Sequence, residues 1–295
     1  MKIGYPCINR SVGCTANSTF RLSSYSEKRL KKTVTNNLDC LRRILQYNVS
    51  NNLLFFRMSS DLVPFVSHPI CKFNWAKHFS KDLSTLSGYI RKNDIRISMH
   101  PDQFVLINSP RRAVNIRSIN ELVYHCRVLD CMNLDHTAKV QLHVGGAYGD
   151  KQAAILRFTN NYNSLPETVK RRLVIENDDR LFSVEDCLRI SETVNLPIVF
   201  DVFHHTCLNR GESIREALEN CMTTWRGKDG LPIVDYSNQQ SNASVGVHAQ
   251  SIDLGRFRSF LEKTKGLDFD IMLEIKDKER SAREAQKISI EVSSN

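Results

Sequence analysis

Nothing in these 295 residues runs apolar for long enough to span a bilayer; stretches such as Leu53-Leu54-Phe55-Phe56 are strand-length and soon broken by charge. No signal-peptide pattern stands ahead of Met1-Lys2-Ile3-Gly4-Tyr5, which itself reads as a first strand. The nine cysteines, from Cys7 to Cys221, contain no Cys-x-x-Cys pair, and an odd count scattered this way argues against a disulfide framework or a cysteine zinc site. Most of the thiols are then expected to be small core residues, and the expected compartment is a reducing cytoplasm. No Pro/Gly/Ser-rich linker and no low-complexity segment divides the chain, so one domain over 1–295 is expected.

What is present is an ordinary globular composition, 41% hydrophobic and 25% charged, which suffices for a sizeable core. Short apolar runs alternate with longer amphipathic stretches. The runs predict strands at Lys2–Tyr5, Leu53–Arg57, Ile95–Met99, Val140–His143, Leu173–Glu176, Ile198–Asp201, Ile233–Tyr236 and Ile271–Glu274. The stretches predict helices at Glu27–Tyr47, Trp75–Arg91, Ile116–Leu134, Lys151–Tyr162, Val184–Val194, Ser213–Thr223 and Leu254–Lys263, with an eighth at Ser281–Lys287. The polar run Ser237–Ser244 reads as a loop. Buried strands alternating with helices imply a parallel sheet, and eight such units in under 300 residues fit an α/β fold of the (β/α)8 TIM-barrel type.

The chemistry is written at the strand ends. Met99-His100-Pro101-Asp102, Gln141-Leu142-His143, Ile175-Glu176, Phe200-Asp201-Val202-Phe203-His204, Val234-Asp235 and Leu273-Glu274 close six consecutive strands, each with a histidine or a carboxylate. In a TIM barrel those ends share one face, where active sites are built. One such carboxylate is readily a helix N-cap, and one buried histidine is more often hydrogen-bonded structure than a ligand. Six in succession would repel one another unless divalent cations neutralised the carboxylates and used the imidazoles. Histidine with carboxylate and no cysteine suits Mn²⁺, Zn²⁺ or Fe²⁺ better than Ca²⁺ or Mg²⁺. Two or three ions match so large a donor set, and phosphodiester hydrolysis is the reaction class such clusters serve. The net charge of +9 and the clusters Lys28-Arg29, Lys31-Lys32, Arg42-Arg43, Arg111-Arg112 and Lys170-Arg171-Arg172 tilt the substrate toward nucleic acid.

These residues resemble the UV damage endonucleases of fungi, bacteria and archaea. The likeness rests on Ile3-Gly4-Tyr5 with Asn9, Phe56-Arg57-Met58-Ser59-Ser60-Asp61, His100-Pro101-Asp102-Gln103-Phe104 and Ile175-Glu176-Asn177-Asp178-Asp179. It continues through Phe200-Asp201-x-x-His204-His205, Asp235-Tyr236-Ser237, Gly246-Val247-His248-Ala249 and Asp270-Ile271-Met272-Leu273-Glu274-x-Lys276-Asp277-Lys278-Glu279. The resemblance implies a barrel related to endonuclease IV, nicking of duplex DNA immediately 5′ to UV photoproducts (cyclobutane pyrimidine dimers and 6-4 photoproducts), and a cluster of up to three ions, usually manganese. It implies ligands at His100, His143, Glu176, Asp201, His204, Asp235, His248 and Glu274, with Glu176 bridging two ions and Glu274 and Asp201 sharing in catalysis. His100 and His143 would complete one position, Asp201, Asp235 and Glu274 a second, and His204 with His248 a third; His68 matches a family histidine near the site. It also implies a damage-probing pair, Gln103-Phe104, with Tyr5, Asn9 and Arg57 toward the DNA or its lesion.

The chain departs from the family twice. Tyrosine commonly follows the glutamine where Phe104 stands, and strand seven commonly ends in Lys-x-His where this chain reads Ile233-Val234-Asp235. An abasic-site nuclease of the endonuclease IV kind, a metal-dependent sugar isomerase and a non-catalytic damage-binding module are the competing readings. The nuclease readings imply a monomer on UV-damaged duplex DNA, cytoplasmic and nucleoid-associated, with no protein or membrane partner.

Overall fold

The structure is a computed structural model that describes residues 1–294. Eight parallel strands close a barrel in chain order: β1 Ile3–Pro6, β2 Phe55–Met58, β3 Arg96–Met99, β4 Lys139–His143, β5 Leu173–Glu176, β6 Ile198–Asp201, β7 Ile233–Tyr236 and β8 Asp270–Leu273. β8 returns to β1 through Ile3↔Ile271 and Gly4↔Met272. The long helices of the outer ring are α1 Glu27–Ser50, α2 Ser80–Lys92, α3 Arg112–Cys131, α4 Lys151–Asn163, α5 Val184–Val194, α6 Ile214–Met222, α7 Leu254–Lys263 and α8 Glu279–Ser293. This is the predicted (β/α)8 barrel. No helix among the described residues is long and apolar enough to cross a membrane.

Three strands, β5, β6 and β7, and two helices, α5 and α7, have the predicted bounds. The single helix predicted at Trp75–Arg91 is broken at Phe79, whose φ/ψ of −96°/15° leave the α region while its ring stays buried. Two short helices, Glu167–Lys170 and Val202–Cys207, were not anticipated.

Alternation along each strand decides what fills the barrel. Phe55, Val174, Val199, Ile233 and Met272 form an apolar cluster of their own, apart from the main core between strands and helices. Two residues further along the same strands, on the same face, stand Arg57, Glu176, Asp201, Asp235 and Glu274. Below the apolar layer, Arg96 pairs with Asp270 at 2.8 Å and Lys139 with Asp229 at 2.6 Å. The barrel is thus plugged by charge pairs at its base, apolar in its middle and charged at its mouth. Gly4 is required for closure: a Cβ there would lie 2.1 Å from the Phe55 carbonyl oxygen.

The cysteine reading needs correction. Cys14 and Cys40 form a disulfide that ties the β1–α1 segment to α1, and nothing in their 26-residue separation marks them as partners. Of the other seven, Cys126, Cys187 and Cys221 are buried while Cys7, Cys71, Cys131 and Cys207 are only half-buried. Cysteine usage therefore does not support a reducing compartment.

One buried group sets a pH dependence. His125 on α3 is held down at about 4 by burial, although its Nδ1–H donates to the Glu121 carbonyl at 2.7 Å. Between about pH 6.5 and about 4 the unfolded chain takes a proton on this residue and the native chain does not. Its contribution is therefore fully present above that window and is lost as pH falls through it, by about 3 kcal/mol. His125→Gln should flatten the fall of the urea midpoint between pH 6.5 and 4 relative to the parent protein; an unchanged slope would show that His125 is not the group responsible.

Candidate metal centre and nucleic-acid interface

The strand ends converge as their order requires. Register places His143 of β4 beside Glu176 of β5, and Asp201 of β6 beside Asp235 of β7. Glu176, 1% exposed, receives His100 Nε2 at 2.7 Å and lies 3.0 Å from His143 Nδ1, both on Oε1. Its Oε2 accepts from the Gln141 side-chain amide at 2.5 Å. Asp201 caps the short Val202–Cys207 helix: Oδ1 accepts from His204 N–H at 2.7 Å. Oδ2 is buried with no hydrogen-bond partner and sits 3.4 Å from His204 Nδ1.

Three groups of side chains have ligand atoms within 4.8 Å of one another: His100, His143 and Glu176; Glu176, Asp201 and His204; and Asp201, Asp235 and Glu274. Glu176 belongs to two of them. His248 stands beside the groups, its ring centroid 5.9 Å from that of His204 and its Nδ1 4.0 Å from Glu274 Oε2. His68 belongs to none of the groups; its Nδ1 accepts from Ile70 N–H at 3.1 Å within its own loop.

The imidazoles are oriented as ligands are. His100, His204 and His248 place Nδ1 against the backbone carbonyls of Pro101 (2.7 Å), Asn177 (3.0 Å) and Glu274 (2.8 Å). A carbonyl can only accept, so Nδ1 of each ring carries a proton and Nε2 is the nitrogen that would turn to a metal; in His100 that nitrogen donates to Glu176 Oε1. The electrostatics agree. Against the opposing effect of burial, Glu176 lifts His143 to about 9 and Asp201 lifts His204 to about 10. Burial, with Glu274 and Asp235 nearby, pushes Asp201 up to about 7 even though His204 opposes it. The same field that draws protons onto these imidazoles favours divalent cations. With an orphaned buried Asp201 oxygen and three imidazoles anchored through Nδ1, the donor set fits a metal cluster.

Arg57 bridges the carboxylates of the site and also lines the cleft above them. Expected toward the DNA or its lesion, it is 2% exposed and crosses the barrel mouth. Its Nη2 contacts both Asp235 oxygens at 2.8 and 2.9 Å and Gln141 Oε1 at 2.7 Å, while Nη1 binds the Glu274 carboxylate. Burial opposes its charge, but Asp235 and Glu274 hold it above the usual arginine range. Arg57 in turn overcomes the effect of burial on Glu274 and holds that carboxyl down at about 2. Asp235 has both oxygens committed, since Gln141 Nε2 also donates to Oδ2 at 2.6 Å. At the strand-seven departure, Ile233 belongs to the apolar layer and Asp235 pairs with Arg57.

Tyr5 and Asn9 are also buried. The Tyr5 hydroxyl donates to Asn48 Oδ1 at 2.5 Å and accepts from Asn9 Nδ2 at 2.7 Å. Asn9 Oδ1 accepts from Ser11 and Val12 N–H, so the pair shapes the β1–α1 loop. Gln141 and Asn177 stand in the strand-end motifs without an expected role; Gln141, two residues before His143 on the inward face of β4, bonds Glu176 and Asp235, and the Asn177 amide holds the Asp201 backbone.

Above the carboxylates opens a cleft of about 690 Å³ whose wall includes His100, Gln103, Phe104, His248 and Glu274. The Phe104 ring is 76% exposed, which is not the burial of a loop anchor. Among the basic clusters, Arg172 is buried against Asp130, and Lys31, Arg42 and Lys170 are paired with Glu27, Asp39 and Glu167. Arg111 and Arg112 remain exposed where the probe loop enters α3.

A family profile described as UV-endonuclease UvdE matches residues 1–290. A UV DNA damage endonuclease of Clostridium perfringens (strain 13 / Type A) is 39% identical over 284 residues, covering 96% of this chain and 69% of that protein. The crystal structure of SacUVDE superposes with a TM-score of 0.95 at 44% identity, over 99% of both chains. Endonuclease IV from Thermus thermophilus superposes with a TM-score of 0.57 at 14% identity, over 85% of this chain and 93% of its own, a likeness of fold.

Proposed function

The chain belongs to the UV-endonuclease UvdE family, and from that premise we propose that it nicks UV-damaged duplex DNA immediately 5′ to cyclobutane dimers and 6-4 photoproducts, leaving a 3′-hydroxyl and a 5′-phosphate. The observation that carries this reading is one cleft shared by His100, His248 and Glu274 with the exposed Phe104. An aromatic ring standing free beside the ligand groups suits a nuclease that opens the base stack.

His100, His143, Glu176, Asp201, His204, His248 and Glu274 would hold two or three divalent ions, Mn²⁺ foremost, with Zn²⁺ or Fe²⁺ as alternatives. Bound there, the ions supply Lewis acidity to the scissile phosphodiester and a lowered pKa for the attacking water. The chain's own residues do the rest. Glu176 is shared between two ligand groups, and Gln141 keeps its second oxygen oriented. Arg57 holds the Glu274 carboxylate ionised and in place. Gln103 and Phe104 would fill the gap left when damaged nucleotides leave the stack, one with an amide and the other with a ring. The exposed Arg111 and Arg112 would add phosphate contacts beside the probe. A single barrel opening onto duplex DNA needs no second subunit, and its place of work is the cytoplasmic nucleoid.

Incision of three duplexes, carrying a defined cyclobutane dimer, an abasic site or no lesion, tests the reading when Mn²⁺ is supplied and the product ends are mapped. Cleavage 5′ to the dimer is the expected result; cleavage of the abasic strand alone would assign the endonuclease IV-like activity instead. Phe104→Ala should weaken binding to the dimer duplex roughly 5- to 150-fold, the range of about 1–3 kcal/mol for one stacked base. Melting should stay unchanged because the ring is exposed. Undiminished affinity would remove Phe104 from the interface.

A further inference from the structure

We infer that Lys278 grips a backbone phosphate of the substrate strand in the cleft, an inference that rests on the nuclease reading above. Lys278 lies four residues beyond Glu274, in the segment that leads from β8 into α8. Arg280 N–H donates to the Asp277 carbonyl at 3.3 Å and closes a turn with Lys278 at its first central position. The backbone of Lys278 has φ 60° and ψ −116°. Those are the angles of a type II′ turn, whose first central residue is ordinarily glycine because a Cβ is strained there. Glycine would make this turn more easily. The chain instead holds a long cationic side chain in a strained backbone, a pattern characteristic of sites where the side chain is used.

Its surroundings say what for. Lys278 lines the same cleft as His100, Gln103, Phe104 and His248. The carboxylates on either side of it are committed elsewhere. Asp277 Oδ1 accepts from Ser281 Oγ, and Glu279 accepts from Ser11 Oγ at 2.7 Å and from Arg10 N–H at 3.0 Å. The Glu274 carboxylate is bound by Arg57, which also holds Asp235 and Gln141. Among the described residues no side chain forms an ion pair with the Lys278 ammonium, so its donors remain for an incoming anion. In a cleft flanked by the probe pair, that anion is a phosphodiester, which an ammonium binds as a point charge.

Lys278→Gly and Lys278→Arg, measured for binding to a UV-irradiated duplex across a series of salt concentrations, test this. Glycine relieves the backbone and removes the charge; arginine keeps both strain and charge. The expected result is affinity about tenfold weaker for Lys278→Gly, a salt slope shallower by about one, melting unchanged or raised, and restoration of both affinity and slope in Lys278→Arg. Affinity and slope of Lys278→Gly equal to those of the parent would overturn the inference while leaving the nuclease reading intact. A parent protein that neither binds nor incises the irradiated duplex would overturn the nuclease reading, and this inference with it.

Discussion

Replacing Glu176 with alanine should reduce incision by roughly three orders of magnitude or more, about 4 kcal/mol of transition-state stabilisation, with duplex binding largely retained. The carboxylate belongs to two of the three groups of converging side chains, so its loss removes a donor from both at once. It is also the anion that lifts His143 to about 9 against the effect of burial. In the metal-free protein, proton NMR of Glu176→Ala should therefore show the His143 imidazole titrating lower, a readout independent of activity. Binding should survive because Glu176 is 1% exposed at the barrel mouth, whereas Phe104 and the arginines of the probe loop are exposed and untouched by the change. Full nicking by the variant would remove Glu176 from the machinery.

Asp235→Ala should be the most destabilising of the carboxylate truncations, by about 3–5 kcal/mol, because it leaves a buried guanidinium without its bidentate partner. For a domain of this size that corresponds to a melting fall of roughly 6–10 °C. Replacing Arg57 by methionine and Asp235 by leucine together should recover part of the loss, since an apolar pair avoids the desolvation that the ion pair has to offset. Metal content measured on purified Asp235→Ala separates the two roles open to this residue. A counter-ion of Arg57 costs stability first; a ligand in its own right would lower metal stoichiometry at nearly unchanged melting.

The strand-end residues were legible because two periodicities coincide. A run of about four residues with an apolar start and a polar fourth position is visible in Leu173-Val174-Ile175-Glu176 and in Ile198-Val199-Phe200-Asp201 without coordinates. Parallel order then places those fourth positions on one rim. Motif position does not report burial, so the partners that Tyr5, Asn9 and Arg57 find inside the protein are not visible in the sequence. Each sits in a segment that matches a family signature; Arg57 holds the site carboxylates, and Tyr5 with Asn9 holds the β1–α1 loop. Cys14 and Cys40 were missed for a related reason: pairing depends on where the β1–α1 loop folds back, which no local pattern encodes.

What the sequence determined by itself was the barrel, its order, and the identity of the side chains on its rim, since these follow from hydrophobic period and strand count. Only the tertiary structure decided which polar groups answer one another. Gln141 reaches Asp235 across 94 residues, and Arg57 reaches Glu274 across 217. Those partners meet because closure of the sheet brings inward-facing positions of non-neighbouring strands within hydrogen-bonding distance. Inside so small a mouth an unpaired charge is too costly to keep. Closure therefore settled that Arg57 and Asp235 neutralise each other, and that His100 and His143 both meet Glu176.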